Sequence, residues 1–310
     1  MKSTWTVTEE GKDVRLDVFL SEQLEDVTRS HIAKLLKRGA GTVNGKPATV
    51  HRFLKIGDTI EFDDAERTIK GKVEVAKPAP PLEIIEETAD WMVINKQAGI
   101  VVHPDSTHKT GTLVDALMAY NPKIGKIGED PERPGIMHRL DKEASGLMVI
   151  AKTQDAFDSL KKQFAEHTVD KRYIALVFGN MPEGEGDIKF RIGHSSSKSR
   201  MAAHPVQEEK VGKAAWTHYE VVEKLRDAQL LELSIFSGRT HQIRVHLLAM
   251  NHPIMGDPLY KRPREDRSTK APRLMLQSVH LAFIDPASGE KKTFDLKPAA
   301  EFEWMKKQLR

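Results

Sequence analysis

Three prolines within four residues, Pro78, Pro80 and Pro81, limit how this chain can fold. Proline lacks a backbone N–H and has a fixed φ, so this segment cannot form a helix or a central strand. Such a stretch is typical of a stiff, extended linker. The length of 310 residues also suits two domains of ordinary size. We therefore predict a small domain at residues 1–75, a linker at residues 76–82 and a large domain at residues 83–310.

Positive charge is concentrated in the predicted small domain. Residues 27–57 include seven basic residues and no acidic one, whereas the whole chain has a net charge of only +3. The seven basic residues are Arg29, Lys34, Lys37, Arg38, Lys46, Arg52 and Lys55. A charge run is more often an ordinary solvated face, but the complete lack of acids favours binding to a nucleic-acid backbone.

Hydrophobic periodicity indicates the secondary structure. The small domain has two short helical patterns, followed by a hairpin signal at Asn44-Gly45. In the large domain the predicted strands are residues 84–85, 91–94, 100–102, 147–151, 173–178, 216–222 and 230–235, and the predicted helices are residues 113–118, 156–164 and 242–250. Strands and helices do not alternate regularly, which argues against a doubly wound fold. We predict the α+β class: a mixed, mostly antiparallel sheet with packed helices, preceded by a small α+β module.

Composition excludes several kinds of chemistry. The chain contains no cysteine, which removes disulfides, thiolate metal sites and thiol nucleophiles. A P-loop, a dinucleotide fingerprint and an H-E-x-x-H motif are also absent from the sequence. We expect no cofactor and no metal, with a hydrolase built on the 13 histidines as the weaker alternative. Because the sequence shows no signal peptide, membrane span or heptad pattern, we expect a cytoplasmic monomer without a membrane partner.

Three segments place polar residues beside apolar runs. His138-Arg139-Leu140-Asp141 precedes Ser145-Gly146 and a buried-strand pattern; Lys171-Arg172-Tyr173 opens a second such pattern; and Gly238-Arg239-Thr240-His241-Gln242-Ile243-Arg244-Val245-His246 opens a helix. An aspartate at the edge of a core is partly desolvated and needs a cation. Donors at the start of a helix suit an anion. Taken singly, each segment also has a structural explanation, as a capping residue, a rim tyrosine or a salt-bridged helix.

Taken together, the three segments resemble the ordered motifs of the RluA/RluD-type family of large-subunit ribosomal RNA pseudouridine synthases. Residues 96–104 and 252–257 also resemble family stretches, although Gln97 stands where the family usually has proline. The N-terminal unit resembles the small RNA-binding module named after a ribosomal small-subunit protein, an S4-like domain. The resemblance covers nearly the whole chain.

This resemblance implies isomerisation of uridine to pseudouridine in structured RNA, without cofactor or metal. The expected partner is 23S ribosomal RNA or its assembly precursor, with transfer RNA as the alternative target and a non-catalytic RNA-binding protein as the rival class. The resemblance implies that Asp141 is the essential carboxylate and Arg244 its cationic partner, and that Tyr173 stacks on the uracil. It also implies substrate-binding roles for Arg139, which would fill the space of the flipped base, and for His138, Arg239, His241 and Gln242. The chemical route taken by Asp141 stays open.

Overall fold

A computed structural model describes residues 2–24, 32–33, 35–36, 38–50, 52–63, 78–105, 107–195, 200–261 and 270–310. Arg29, Lys34, Lys37 and the first two residues of the predicted linker lie outside these described residues. The chain divides into two compact units, Met1–Ala76 and Lys77–Arg310, and each has a hydrophobic core of its own. No helix in the described ranges is both long and apolar enough to cross a membrane.

The small unit packs a helix against a four-stranded antiparallel sheet with the order β1-β4-β2-β3. Its elements are β1 (Lys2–Thr6), α1 (Leu16–Gln23), β2 (Gly41–Val43), β3 (Lys46–Pro47) and β4 (Thr59–Asp63). Leu16 and Leu20 of α1 and Ile60 of β4 are fully buried in its core. The hairpin predicted at Asn44-Gly45 is confirmed, because both residues have a left-handed φ (54° and 71°) between β2 and β3. The second predicted helix lies partly outside the described residues.

The large unit is built on a ten-stranded sheet with the order β10-β9-β11-β12-β8-β13-β7-β6-β5, in which β14 also pairs with β13. The strands are β5 (Ile84–Glu87), β6 (Trp91–Lys96), β7 (Ser145–Ala151), β8 (Asp170–Phe178), β9 (Glu185–His194), β10 (Met201–His204), β11 (Lys213–Leu225), β12 (Ala228–Ile235), β13 (Leu276–Ile284) and β14 (Lys291–Asp295). The helices are α2 (Leu113–Tyr120), α3 (Gln154–Ala165), α4 (Gln242–Ala249) and α5 (Ala300–Leu309). Among these strands, β7 and β13 pair in parallel and the other pairs are antiparallel. The predicted α+β class is confirmed.

The centre of this sheet is covered on both faces. Met92 and Met148 belong to one buried cluster, and Trp91 and Leu147 belong to a second. Neighbouring residues of a strand point to opposite faces of the sheet. Since both faces are covered here, β6 and β7 are mostly apolar in sequence instead of alternating between apolar and polar residues. Helix α2 begins at a capping box, in which the side chain of Thr112 accepts the Asp115 N–H and the Asp115 carboxylate accepts the Thr112 N–H.

One predicted strand is wrong. Residues 100–102 do not belong to any strand, and the carbonyl oxygens of Val101 and Val102 instead accept hydrogen bonds from the first turn of α2. Leu113 N–H donates to Val101 O at 2.8 Å, and Val114 N–H donates to Val102 O at 3.1 Å. Val102 is buried, but the backbone of this run is used by the start of a helix instead of a neighbouring strand.

Candidate active site

Asp141 lies in the turn that leads into β7, at an edge of the core. The turn reaches the sheet at Gly146, whose φ is +119° and where a Cβ atom would overlap the backbone of Ser278 on β13. Only glycine fits so close an approach between parallel strands. This packing fixes where β7 begins and therefore limits where the side chain of Asp141 can lie.

Lys96, at the end of β6, donates a hydrogen bond to the backbone of Lys142, the residue after Asp141. It is only 2% exposed, and its Nζ donates to the carbonyl oxygens of Gln97 (2.9 Å), Ile100 (3.0 Å) and Lys142 (3.3 Å). The Gly99 N–H also donates to the Lys142 carbonyl, at 2.7 Å. Burial lowers the pKa of Lys96 to about 7, while the charge of Asp141 acts in the opposite direction. The loop after β6 and the Asp141 turn are thus tied together.

Arg244, on α4, joins two carboxylates. Its Nη1 donates to Asp141 Oδ2 at 3.0 Å. On its other edge, Nε and Nη2 donate to the two carboxylate oxygens of Asp257 at 2.7 and 2.8 Å. The side chain of Asp257 is completely buried, and that of Asp141 is 17% exposed. Asp257 therefore holds the guanidinium group in a bidentate pair, and Arg244 presents its remaining edge to Asp141.

The charge of Arg244 is secure despite its burial. Burial alone lowers the pKa of Arg244, but the hydrogen bonds and charges of Asp257 and Asp141 outweigh burial and raise this pKa above its usual range. Asp257 itself also accepts the backbone N–H groups of Leu259 and Tyr260, each at 2.8 Å. Asp257 therefore accepts hydrogen bonds from the Arg244 side chain and from two backbone N–H groups, and a buried charge needs such partners.

His241 and Tyr260 lie next to the ion pair of Asp141 and Arg244. His241, the residue before α4, has a left-handed φ of 56°, an unusual conformation for a residue other than glycine. Its Nδ1 lies 2.9 Å from the Tyr260 hydroxyl, and its Nε2 lies 4.0 Å from Asp141 Oδ1. Burial raises the pKa of Tyr260, so this hydroxyl keeps its proton. The guanidinium group of Arg244 also lies over the Tyr260 ring, at 4.9 Å.

Tyr173, on β8, is a buried phenol beside these groups. It is 6% exposed and lines the same pocket as Asp141. Burial raises the pKa of Tyr173 well above its usual range, and the charge of Asp141 raises it further. The ring therefore presents a neutral hydroxyl and an aromatic face.

Arg239 and Gln242 form the rim of the pocket at the start of α4. Gln242 is 4% exposed, and its amide oxygen accepts the Ser237 hydroxyl and the Arg239 N–H. Its amide nitrogen donates to Trp216 O and to the Thr217 hydroxyl. Since both ends of the amide are occupied, Gln242 shapes the loop, whereas the exposed Arg239 is available to a ligand.

Arg139, at the mouth of the pocket, is held by His103. Arg139 Nη1 donates to His103 Nε2 at 3.2 Å. Burial, together with the charge of Arg139, lowers the pKa of His103 to about 4. The imidazole is therefore neutral and can accept the hydrogen bond of the guanidinium group.

Seven of the eight residues that the motifs predicted line one pocket: Arg139, Asp141, Tyr173, Arg239, His241, Gln242 and Arg244. His138 does not line this pocket. Its Nε2 accepts the Val149 N–H at 3.1 Å, and its ring stacks on Phe164 at 4.5 Å. These two contacts give His138 a structural role beside the turn that carries Asp141.

Four residues of this network were not assigned from the sequence: Lys96, His103, Asp257 and Tyr260. Three of them fall in the stretches, residues 96–104 and 252–257, that resemble the family outside the main motifs. A charged residue such as Lys96 at the end of an apolar strand is a usable signal, because burial of its charge requires partners. Tyr260 carries no comparable local signal.

The pocket combines a carboxylate paired with an arginine and a buried tyrosine, and it lies on a mixed sheet. This combination suits an enzyme that uses a carboxylate for its chemistry. The comparisons with known proteins identify the family. The chain belongs to the RNA pseudouridylate synthase family, whose model matches residues 90–249, and a model of the S4 domain matches residues 14–60. The resemblance seen in the motifs is confirmed, and the protein is an RNA pseudouridine synthase, an isomerase that acts on RNA.

Relatives match along nearly the full length. An uncharacterized RNA pseudouridine synthase of Synechocystis is 38% identical over 306 residues, covering 98% of this chain and 91% of the relative. Ribosomal large subunit pseudouridine synthase D of Nitrosomonas europaea is 38% identical, covering 92% of this chain and 81% of the relative. The solved structure of human RNA pseudouridylate synthase domain containing 1 matches with a TM-score of 0.56 and 28% identity, covering 70% of this chain and 83% of that one.

Proposed function

We propose that Asp141 is the essential carboxylate of this synthase and that it acts on a uridine turned out of the RNA into the pocket. The observation that carries this proposal is the 3.0 Å contact between Asp141 and Arg244 in the pocket that Tyr173 also lines. In the reaction the bond between ribose C1′ and uracil N1 breaks, the uracil turns, and a bond between C1′ and C5 forms. The hydrogen on C5 is then lost as a proton and N1 takes up a proton, so no atom is gained or lost overall. Arg244 places a permanent positive charge beside this carboxylate.

The other pocket residues have roles that fit this proposal. A neutral Tyr173 packs its ring against the uracil, and its raised pKa argues against a phenolate base at neutral pH. Because the target base leaves its stack, a group is needed to take its place. Arg139, exposed at the mouth of the pocket and held by neutral His103, is suited to fill that space. Arg239 is placed to contact a phosphate at the rim.

The proposed target is a uridine of 23S ribosomal RNA. The relative in Nitrosomonas europaea is named as a synthase of the large ribosomal subunit, which supports this choice. We expect the enzyme to act in the cytoplasm. We also expect a monomer, a state with which the pocket is compatible because one chain supplies every group described above. The test is tritium release from unmodified, [5-³H]uridine-labelled large-subunit RNA, with labelled transfer RNA in parallel and the modified position mapped. Release from transfer RNA alone would contradict the proposed target.

The small unit is proposed to hold the RNA by its phosphates. Of its predicted basic residues, Arg38, Lys46 and Lys55 are exposed, and Arg52 lies 3.7 Å from Asp58. Each phosphate contact that a cation makes releases counterions, so such binding weakens steeply with salt.

Removal of residues 1–75 is therefore expected to weaken binding to large-subunit RNA more than it slows conversion of bound RNA. Loss of about three phosphate contacts would reduce the slope of log K against log salt by roughly 3. Filter binding at several salt concentrations measures the slope, and single-turnover tritium release measures conversion. An unchanged affinity and slope would show that the small unit does not hold the RNA.

A further inference from the structure

Tyr260 is a buried phenol that does not line the catalytic pocket but contacts a residue that does. It is only 1% exposed, so its hydroxyl group needs hydrogen-bond partners within the protein. In the described part of the chain, two groups lie within hydrogen-bonding distance of this oxygen: the Met201 N–H at 3.1 Å and His241 Nδ1 at 2.9 Å. These two contacts determine where the hydroxyl proton lies.

The two contacts differ in what they can do with a proton. A backbone N–H can only donate, so the Tyr260 oxygen accepts the hydrogen bond from Met201. Among the described residues, the hydroxyl proton then has one acceptor within reach, the lone pair of His241 Nδ1. If His241 carried its own proton on Nδ1, a buried O–H donor would be left without an acceptor, which is costly. The hydrogen bonds therefore favour a proton on the other ring nitrogen, Nε2.

Nε2 of His241 faces the proposed catalytic carboxylate. It lies 4.0 Å from Asp141 Oδ1, whereas the other carboxylate oxygen, Oδ2, accepts a hydrogen bond from Arg244 at 3.0 Å. The two oxygens of Asp141 thus have different neighbours, a cation at Oδ2 and an imidazole nitrogen at Oδ1. A distance of 4.0 Å is too long for a hydrogen bond, so Oδ1 keeps its capacity to react while a donor stands beside it.

The imidazole ring of His241 is neutral. Burial lowers its pKa, and the cations Arg244 and Arg139 lower it as well, whereas the carboxylates of Asp141 and Asp257 raise it. The net direction is downward from the ordinary value of a histidine. Near pH 7 the ring therefore carries one proton, and the hydrogen bonds around it decide which nitrogen holds that proton.

Tyr260 also opposes a second proton on His241. A hydrogen bond donated to Nδ1 occupies the lone pair that this proton would need, and so it stabilises the neutral ring. Burial raises the pKa of Tyr260, so the hydroxyl retains the proton that it donates. A further cation, Arg200, lies 5.9 Å from the centre of the Tyr260 ring, and its charge likewise disfavours an imidazolium.

We propose that Tyr260 is a positioning residue for pseudouridine formation, whose hydroxyl holds the proton of His241 on Nε2 and keeps this ring beside Asp141 as a neutral donor. The inference rests on the proposed function, because it takes Asp141 as the reacting carboxylate. A neutral donor orients a carboxylate and leaves its charge intact, whereas an imidazolium would form an ion pair with the oxygen that has to react.

The experiment removes the hydroxyl group and keeps the ring. Tyr260→Phe retains the aromatic contacts with His241, at 5.5 Å, and with Arg244, at 4.9 Å. The matched control is Tyr120→Phe, because Tyr120 is 48% exposed, donates to Glu87 and does not line the pocket. Nitrogen-15 NMR of histidine-labelled protein, without RNA, reports the protonation of each ring nitrogen. The signals of His241 are those that disappear in His241→Gln. Circular dichroism and thermal melting check that each variant is folded.

The wild-type protein is expected to show a proton on Nε2 of His241, and none on Nδ1, between about pH 5 and pH 8. In Tyr260→Phe the pKa of His241 should rise, because Nδ1 is free to take up a proton. The single-turnover rate should fall by about tenfold at neutral pH, with RNA affinity within a few-fold of wild type. It should fall further as the pH is lowered through about 6.5. Tyr120→Phe should match the wild-type protein in every measurement.

Two substitutions of His241 separate a donor role from a structural one. Glutamine carries an N–H group at about the distance of Nε2 and can still donate toward Asp141. Asparagine is too short for this contact, but it adopts the left-handed backbone of His241 more readily. We expect His241→Gln to convert bound RNA at least about tenfold faster than His241→Asn. If the side chain only shaped the backbone, asparagine would be the better substitute.

Three results would overturn the inference. The first is a wild-type spectrum with the proton of His241 on Nδ1, or with protons on both nitrogens at pH 7. The second is an unchanged rate and an unchanged titration of His241 in folded Tyr260→Phe. The third is a rate for His241→Asn that equals or exceeds that of His241→Gln. Failure of the proposed function is read separately, as undiminished pseudouridine formation by Asp141→Asn, because the spectra are recorded without RNA.

Discussion

Asp141→Asn is expected to reduce pseudouridine formation by about 10³-fold or more. Asparagine keeps the shape of the side chain and still accepts one hydrogen bond from Arg244 Nη1. It removes the negative charge, however, and an amide can neither attack the ribose or the base nor take up a proton. Since Asp257 continues to hold Arg244 by two hydrogen bonds, the pocket should keep its geometry. Single-turnover tritium release from large-subunit RNA measures the loss directly.

The affinity of Asp141→Asn for RNA should stay within a few-fold of wild type, because phosphate contacts dominate binding. A matched control is Asp295→Asn on β14, an exposed aspartate that pairs with His280 and does not line the pocket. This control should convert RNA at the wild-type rate. Substantial pseudouridine formation by Asp141→Asn would rule out the proposed role of Asp141. A large loss of RNA affinity would instead show that the variant disturbs binding.

Local patterns predicted the strands that are buried continuously. The seven residues of β7 are all buried, and the last five, Leu147 to Ala151, form an unbroken apolar run in the sequence. By contrast, β9 was not predicted, although residues 187–192 alternate strictly between charged and apolar side chains, the pattern of a half-buried strand. Its place in the sheet is a long-range result, because eight of its residues pair with β11. The short strand β14 likewise depends on its pairing with β13.

The candidate site shows the same difference between what local sequence patterns encode and what depends on long-range contacts. The three motifs could be recognised because each is continuous in sequence and carries its own unusual residues. Their meeting in one pocket is a long-range result, since Arg244 and Asp141 are 103 residues apart. The support from Asp257 was missed for another reason. An aspartate after glycine looks like an ordinary turn, and only the fold shows that Gly256, with a φ of +72°, turns the chain against the backbone of Arg273 and directs Asp257 into the core.

Asp257→Asn is therefore expected to impair both stability and chemistry. Removing one partner of a buried ion pair leaves Arg244 with Asp141 as its remaining carboxylate, and we expect the free energy of unfolding to fall by about 3 kcal/mol. Asparagine can still accept the N–H groups of Leu259 and Tyr260, so the local turn should persist. Without the bidentate contact, the guanidinium group is free to rotate toward Asp141. We expect the rate of conversion of bound RNA to fall by about 10²-fold, because small misplacements of catalytic groups cost rates of this order.

Two measurements separate positioning from stability in this variant. Denaturant unfolding gives the free energy, and single-turnover tritium release at a temperature where the variant is fully folded gives the rate. Arg244→Lys keeps a positive charge but cannot form the bidentate pair, so its rate should fall in the same way. If Asp257→Asn loses stability but converts bound RNA at the wild-type rate, then Asp257 only fills the core. Loss of rate in both variants, with RNA affinity retained, would show that Asp141 requires a cation held at a fixed angle and not merely a nearby charge.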